Sequence, residues 1–554
     1  MIMLLAMPMQ DMPIPDMPIP DMPIPDMQRA ASVLEVAKTA VEVAIAHLAG
    51  FEDLDQHQVV AYDLSHAAAG IEAGRSLIDY GAKGEVEAAI ACAFTADAIH
   101  DFATRILGRE AEFGLTPGAL SGTYEFLRDF RDPKFLASLA ETPGPRHLDP
   151  EFEMVQDSFR RFANEKIAPV ADEIHRTNGD VPEDIISGLA EMGAFGLSIP
   201  ETYGGFASEA GNDYTAMVVA TEELSRGSLG IGGSLITRPE ILARALVKGG
   251  TEEQKHHWLP KLAMGEIMNA VAVTEPDYGS DVAGLTTTAT RSGDGWLING
   301  VKTWCTFAGR ADVLMLLVRT DPDRTKSHRG LSLFIVEKER GSGHGFVLTQ
   351  APSKDNPTGG RIEARPIDTI GYRGMHSFEV AIESFYVPNE NLIGGEAGLG
   401  KGFYFQMGGF ENGRIQTAAR AVGVMQAAYE AALEYAKGRK VFSHSIIDYQ
   451  LTRAKLGKMA AIVQASRQFS YHVANLMAKG QGSVEASMAK AYVCRAAEWV
   501  TREAMQIHGG MGYAEEFPVS RYFVDARVLS IFEGADETLA LKVIARKLVD
   551  SQRS

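Results

Sequence analysis

At 554 residues the chain exceeds what one simple core accommodates, so several domains are expected. With 72 acidic against 53 basic residues its formal net charge is −19, which argues against nucleic acid or an anionic membrane as a bulk partner. Cys92, Cys305 and Cys494 are too few for a disulfide framework and too far apart for a metal-ligand pair, so a reducing, cytoplasmic setting without a metal is expected.

Residues 1–6 are apolar but have no basic lead and are too few for a signal peptide, and no apolar run is long enough to span a bilayer. Residues 11–25 read Asp-Met-Pro-Ile-Pro three times over. Two prolines in every five residues remove amide donors and disfavour helix, so residues 1–27 are expected to form an extended or disordered tail. Residues 28–146 are alanine-rich, with apolar residues at helical spacing over 31–48, 62–80 and 85–107. This extension has an internal echo: 84–91 parallels 482–489, and 64–75 parallels 456–467. Alanine-rich helices resemble one another by composition; the other reading is a degenerate copy of the C-terminal helices, lacking their glycine cluster. Such a copy is expected to pack where another subunit's helices would otherwise sit.

Pro143-Gly144-Pro145 is a linker signal. The chain is helical again over 147–268, with periodic stretches at 152–175, 182–192, 214–225 and 241–248. Over 269–395 the pattern changes to short β-branched or alternating runs at 269–273, 286–291, 296–299, 313–319, 332–337 and 379–387. Helical periodicity returns over 396–554, at 403–437, 447–478, 483–507 and 537–550. The order predicts an α+β chain in which a helical domain, a small barrel-like sheet and a C-terminal helical domain follow the extension.

The stretch 506–537 is expected to leave a helix at Gly509-Gly510-Met511-Gly512, cross a polar segment and end in the apolar run 528–532, followed by Glu533 and Gly534. Three glycines in four residues suit a tight turn or a close approach to a ligand. A carboxylate after an apolar run suits a general base raised in pKa by partial burial. By themselves these residues fit an ordinary helix stop and a surface acid equally well.

Gln506, Gly509-Gly510, Gly512-Tyr513, Glu516, Arg521 and Asp525 together resemble a signature of the flavin-dependent acyl-CoA dehydrogenases. A second signature of that family stands upstream in Val273-Thr274-Glu275-Pro276-Asp277-Tyr278-Gly279-Ser280-Asp281, and the resemblance covers residues 148–550. It implies α,β-oxidation of an acyl thioester with FAD as cofactor and Glu533 as base. The amide of Glu533 would help to polarise the thioester carbonyl. Thr274, Ser280, Trp304 and Thr306 match positions that contact FAD. Trp304 offers a flat wall and Thr306 a hydroxyl, although a tryptophan in a strand-like segment is by itself plain core. Arg439 and Phe442 resemble the segment that reaches the FAD of a neighbouring subunit, with Gln506 and Gly510 as its partners. That implies a homodimer with FAD sites at the interface.

Phe410, Glu411 and Arg414 match positions that hold CoA. Arg238 falls in a segment bordering the acyl end of the cavity in relatives, where it suits a substrate carboxylate, an internal salt bridge or the surface. Gly413 stands where one branch of the family places its base, and Ala535 and Glu537 depart from the usual flavin contacts. The helical extension resembles a bacterial branch acting on a branched dicarboxylyl thioester, with an electron-transfer flavoprotein as acceptor. Another short branched acyl-CoA, oxygen as acceptor, or a binding relative without catalysis are the rivals.

Overall fold

The computed structural model describes residues 22–207 and 214–553, so the repeated tail falls outside the described residues as far as position 21. Helix α1 (Met27–Ala49) begins where the Asp26 carboxylate accepts the amides of Gln28 and Arg29. It is followed by α2 (Gln58–Ser76), the short α3 (Ile78–Gly81), α4 (Glu85–Ile106), α5 (Tyr124–Phe130) and α6 (Pro133–Ser138). The predicted helix at 62–80 thus starts earlier and breaks at Leu77. Helices α5 and α6 are too short for periodicity to reveal, although Asp132-Pro133 is a helix-start signal.

The stretch predicted as one helix at 152–175 is two, α7 (Pro150–Phe162) and α8 (Ala168–Thr177), joined by a wide π turn at Ala163–Ile167. Pro169 explains the break, because it has no amide to donate to the preceding turn. Then come α9 (Glu183–Glu191), α10 (Tyr214–Gly227), α11 (Thr237–Gly249) and α12 (Glu252–Ala263). Helix α12 was not predicted individually, yet Thr251 and Gln254 form a reciprocal capping box at its start.

The eight strands β1 (Asn269–Ala272), β2 (Thr288–Ser292), β3 (Gly295–Lys302), β4 (Val313–Arg319), β5 (Leu331–Glu337), β6 (Phe346–Gln350), β7 (Gly360–Ile367) and β8 (Ser377–Pro388) form one curled sheet. Its order is β1-β4-β2-β3-β8-β7-β6, with β5 paired to β4. Strand β4 is buried along its whole length, which is why it reads as an unbroken apolar run. Strands β6 and β7 carry mixed polar sequence and were not predicted.

Helix α13 (Gly402–Gly438) leads into a hairpin of β9 (Lys440–Val441) and β10 (His444–Ser445), then α14 (Gln450–Ala478) and α15 (Ser483–Ile507). Residues expected to be a polar, irregular segment instead form α16 (Val519–Leu529), whose inner face buries Val519, Ala526 and Leu529. The short α17 (Asp536–Thr538), a π segment at Leu539–Ala545 and α18 (Arg546–Arg553) finish the chain. Helix α13 is the spine, packed against α10, α11, α14 and α15. Among the described residues no helix is long and apolar enough to cross a membrane.

The extension lies against this bundle: α2 on α15, α4 and α6 on α14, and α1 on α18. Gly457 of α14 makes the closest approach possible, since a Cβ there would stand 1.8 Å from the Leu136 carbonyl oxygen. The Tyr429 hydroxyl donates to the Ala140 carbonyl at 2.8 Å, and Arg146, just after the Pro-Gly-Pro linker, ion-pairs with buried Glu222 (3.0 Å) and Glu223 (2.6 Å).

Candidate active site

Glu533 sits in the turn between α16 and α17 with φ +55°, followed by Gly534 at φ +103°. A residue with a Cβ rarely occupies the left-handed region, so this conformation stores strain that the surroundings must hold. Its carboxylate lies over α13: a Cβ on Gly413 would meet Glu533 Oε2 at 2.7 Å. The two places where the resemblance allows a base therefore converge in space, and Gly413 leaves room for only one.

The turn is fixed from three sides. Buried Lys490 of α15 donates from Nζ to the Gly534 carbonyl at 2.6 Å, and burial pushes its pKa down. Asp536 accepts from the Tyr62 hydroxyl at 2.5 Å and lies 3.2 Å from His66 Nε2, both on α2. Burial by itself would raise the Asp536 carboxyl, but the His66 and Tyr62 contacts hold it below its ordinary value. Thr538 and Ser280 meet hydroxyl to hydroxyl at 2.9 Å, which brings the Thr-Glu-Pro loop against the Glu533 turn. The Glu533 amide donates to no backbone acceptor among the described residues.

Glu275 shows how that loop is held. Buried inside it, the carboxylate accepts from the Thr286 amide (2.7 Å) and hydroxyl (2.6 Å), the Thr287 amide (2.8 Å) and Lys302 Nζ (2.9 Å). Burial opposes ionisation here, but the Lys302 charge and the donated hydrogen bonds outweigh it and hold the carboxyl at about 2. The Thr303 amide donates to the Thr274 carbonyl at 2.8 Å, so the stretches 273–281 and 302–306 are clipped together. Past Lys302 the chain leaves β3 and Trp304 adopts φ +56°, with 56% of its surface exposed. It is a projecting flat wall and not core. The Thr306 hydroxyl pairs with that of Ser377 at 3.0 Å.

Behind the turn are two buried guanidinium groups. Arg238 donates from Nε to the Ser234 carbonyl at 3.1 Å and from Nη2 to the Thr237 hydroxyl at 3.3 Å. Arg420 of α13 donates from Nη2 to the same hydroxyl at 2.8 Å and lies 5.5 Å from the centre of the Phe532 ring. Burial pushes its pKa down, and Glu533, Arg238 and the buried Glu240 are among its charged neighbours. Among the described residues neither arginine has a carboxylate within 4.0 Å, and Arg420 Nε and Nη1 have no hydrogen-bond partner. Arg238 is therefore neither a surface residue nor half of an ion pair within those residues. Arg420 was not singled out from sequence, although an arginine amid Ala418, Ala419, Ala421 and Val422 is itself a signal.

Arg414 donates from Nη1 to the Ser487 hydroxyl at 3.1 Å. Phe410 and Glu411 lie on α13, and their side chains fall outside the described residues. Gln506 lies in the last turn of α15, Gly510 in the turn Gly509–Tyr513, and both are exposed. Arg439 precedes the β9–β10 hairpin, whose tip holds Phe442 at φ +50°, 88% exposed, and Ser443 at φ +70°. Among the described residues no hydrogen bond links these four to the Trp304 wall.

Residues 149–266, 270–384 and 400–549 match, respectively, the N-terminal, middle and C-terminal domains of acyl-CoA dehydrogenases. The chain belongs to the acyl-CoA dehydrogenase family, oxidoreductases that act on the CH–CH group of an acyl-CoA. Among its relatives, (2S)-methylsuccinyl-CoA dehydrogenase of Cereibacter sphaeroides is 45% identical, covering 80% of this chain and 76% of that protein. Glutaryl-CoA dehydrogenase of Desulfococcus multivorans is 32% identical over 70% of this chain and 94% of that one. In three dimensions the chain resembles a glutaryl-coenzyme A dehydrogenase in its glutaryl-CoA complex (TM-score 0.65, 31% identity, covering 73% and 96% of the two chains). It also resembles butyryl-CoA dehydrogenase from Megasphaera elsdenii (TM-score 0.64, 30% identity, covering 73% and 100%).

Proposed function

We propose that the chain is an FAD-dependent dehydrogenase of a carboxylate-bearing, branched acyl-CoA, with (2S)-methylsuccinyl-CoA as substrate and mesaconyl-CoA as product, a step of the ethylmalonyl-CoA route. The observation that carries the substrate class is the pair Arg238 and Arg420. Two buried cations share one hydroxyl, and although Glu533 and Glu240 are among the charged neighbours of Arg420, among the described residues no carboxylate lies within 4.0 Å of either guanidinium. A desolvated guanidinium without a directly paired carboxylate is costly, and a substrate carboxylate supplies planar, bidentate compensation. An uncharged isovaleryl or isobutyryl chain would leave that cost standing.

Glu533 removes the proton α to the thioester carbonyl. Its own amide, free of a backbone acceptor among the described residues, donates to the thioester oxygen as negative charge develops there. The residues fit a flavin: Trp304 presents an exposed ring from a strained backbone, Thr306 offers a hydroxyl fixed by Ser377, and Gly509 and Gly510 have open space where a Cβ would stand. FAD, when bound, supplies the acceptor for the β-hydrogen and passes electrons to an electron-transfer flavoprotein. The 88% exposed Phe442, held at positive φ on a hairpin tip, supports a second subunit as its seat, and hence a homodimer in which Arg439 and Phe442 complete the partner's FAD site.

Steady-state assay of the wild type, Arg420→Met and Arg238→Ala on methylsuccinyl-, glutaryl-, isovaleryl- and isobutyryl-CoA tests the reading. Losing one partner of a buried charge pair costs about 2–5 kcal/mol, so kcat/KM on the two carboxylated substrates should fall by roughly 30-fold or more. The two uncharged substrates should lose distinctly less, sharing only the effect of removing a positive charge near Glu533. An equal loss on all four would remove the carboxylate assignment.

A further inference from the structure

Asp180, His344 and His376 meet where the loop between α8 and α9 touches the sheet, and the dehydrogenation chemistry uses none of them. One donor atom from each lies within 4.8 Å of the other two. His376 Nε2 is 2.9 Å from Asp180 Oδ1, and His344 Nε2 is 3.9 Å from the same oxygen. Donors bound to a tetrahedral zinc ion at about 2.0–2.1 Å stand roughly 3.3 Å apart, so the two separations bracket what one ion between them requires.

His376 is only 6% exposed, and its Nε2 faces Asp180 Oδ1 inside the fold. A buried imidazole held against a carboxylate favours positive charge between the two, from a proton or from a shared cation. The backbone is arranged around it. The Gly343 amide donates to Asp180 Oδ2 at 3.0 Å, leaving Oδ1 for the histidines. A Cβ on Gly343 would come within 1.9 Å of Asp180 Oδ1 and 2.4 Å of His376 Cδ2, so glycine is what lets the three groups converge. His376 adopts φ +44°, a strained placement for a residue with a Cβ. The nearest competing cation, Arg310, is 3.8 Å from Asp180 Oδ2 but also pairs with Glu183, which Arg340 approaches in turn. His344 is 59% exposed and offers a route in from solvent.

We propose that Asp180, His344 and His376 bind one borderline divalent transition metal of the Zn²⁺ type, with water completing its coordination. Two imidazoles and one carboxylate suit that class and disfavour Mg²⁺ or Ca²⁺, which take oxygen ligands. The ion joins the helical N-terminal region to the sheet. It does so one residue before Ser377, whose hydroxyl holds Thr306.

The test uses untagged, full-length protein stripped with chelator and titrated with CoCl₂, ZnCl₂ or MgCl₂. One Co²⁺ per chain is expected to bind with visible d–d bands and to be displaced by Zn²⁺. Zn²⁺ at about 100-fold excess over its Kd should raise Tm by roughly 2 °C, and Mg²⁺ should do neither. His344→Ala, on an exposed loop, should keep the metal-free Tm and the turnover but abolish both metal responses. Asp180→Asn should weaken binding at least about tenfold. Absence of saturable Co²⁺ or Zn²⁺ binding, or binding undiminished in His344→Ala, would overturn the site.

Discussion

Glu533 and Gly413 must be considered together, because the carboxylate of one occupies the space a side chain on the other would need. Glu533→Gln keeps the shape and removes the basicity, so turnover of the acyl-CoA should fall about 10²–10⁴-fold in steady-state assay while substrate still binds. Gly413→Ala separates activity from stability. In a helix interior alanine is favoured over glycine by up to about 1 kcal/mol, so Tm should hold or rise. Yet the new methyl displaces Oε2 from 2.7 Å, and kcat should drop by about tenfold or more, since small misplacements near the chemistry are costly. At this scale the sequence was uneven. Glu533, Trp304 and the Thr-Glu-Pro residues were legible because they sit in contiguous motifs. Arg420 and Lys490 were not, because each is a lone cation in a helix whose meaning comes from what folds over it: Phe532 and Thr237 for one, the Gly534 carbonyl for the other.

Between elements, the Glu275–Lys302 pair is the clearest junction, tying the Thr-Glu-Pro loop to the end of β3 so that Thr274 and Trp304 keep their relative places. The Glu275 carboxyl is held at about 2 in the folded protein against an ordinary 4.5. A depressed carboxylate stabilises above its unfolded value, and that contribution is lost as pH falls from about 4.5 towards 2. Its size near neutral pH is on the order of 3 kcal/mol. Denaturant unfolding of wild type and Glu275→Gln should therefore show a constant stability gap from pH 7 to about pH 5 that narrows on further acidification. A gap independent of pH across that window would show that the carboxylate's charge is not what holds the loop. Long periodic helices and the buried β4 were readable in the sequence. Strands β6 and β7, the split of α7 from α8 and the whole of α16 were not, because mixed polar faces, a single proline and a short amphipathic turn give weak periodic signals.

For the whole molecule, the internal echo gains a spatial counterpart. The paralleled segments fall on adjacent helix pairs, α2 with α4 and α14 with α15, and they cross over: α2, the echo of α14, lies on α15, while α4, the echo of α15, lies on α14. That reciprocal pattern is what a two-fold contact between like units produces, and it supports the reading of the extension as a worn copy covering a face that would otherwise bind another subunit. The prediction is a dimer: light scattering on the eluting protein should give about twice the 59.9 kDa chain mass, with no tetramer at working concentrations. A stable tetramer of the full chain would count against it. The covering helices also do more than shield a surface. Because Tyr62 and His66 on α2 grip Asp536, three positions past Glu533, the leading segment braces the turn that carries the proposed base. Trimming the polypeptide to the part its shorter relatives share would therefore not yield a minimal enzyme but a loosened one, its Glu533 turn left without the abutment that Tyr62 and His66 provide.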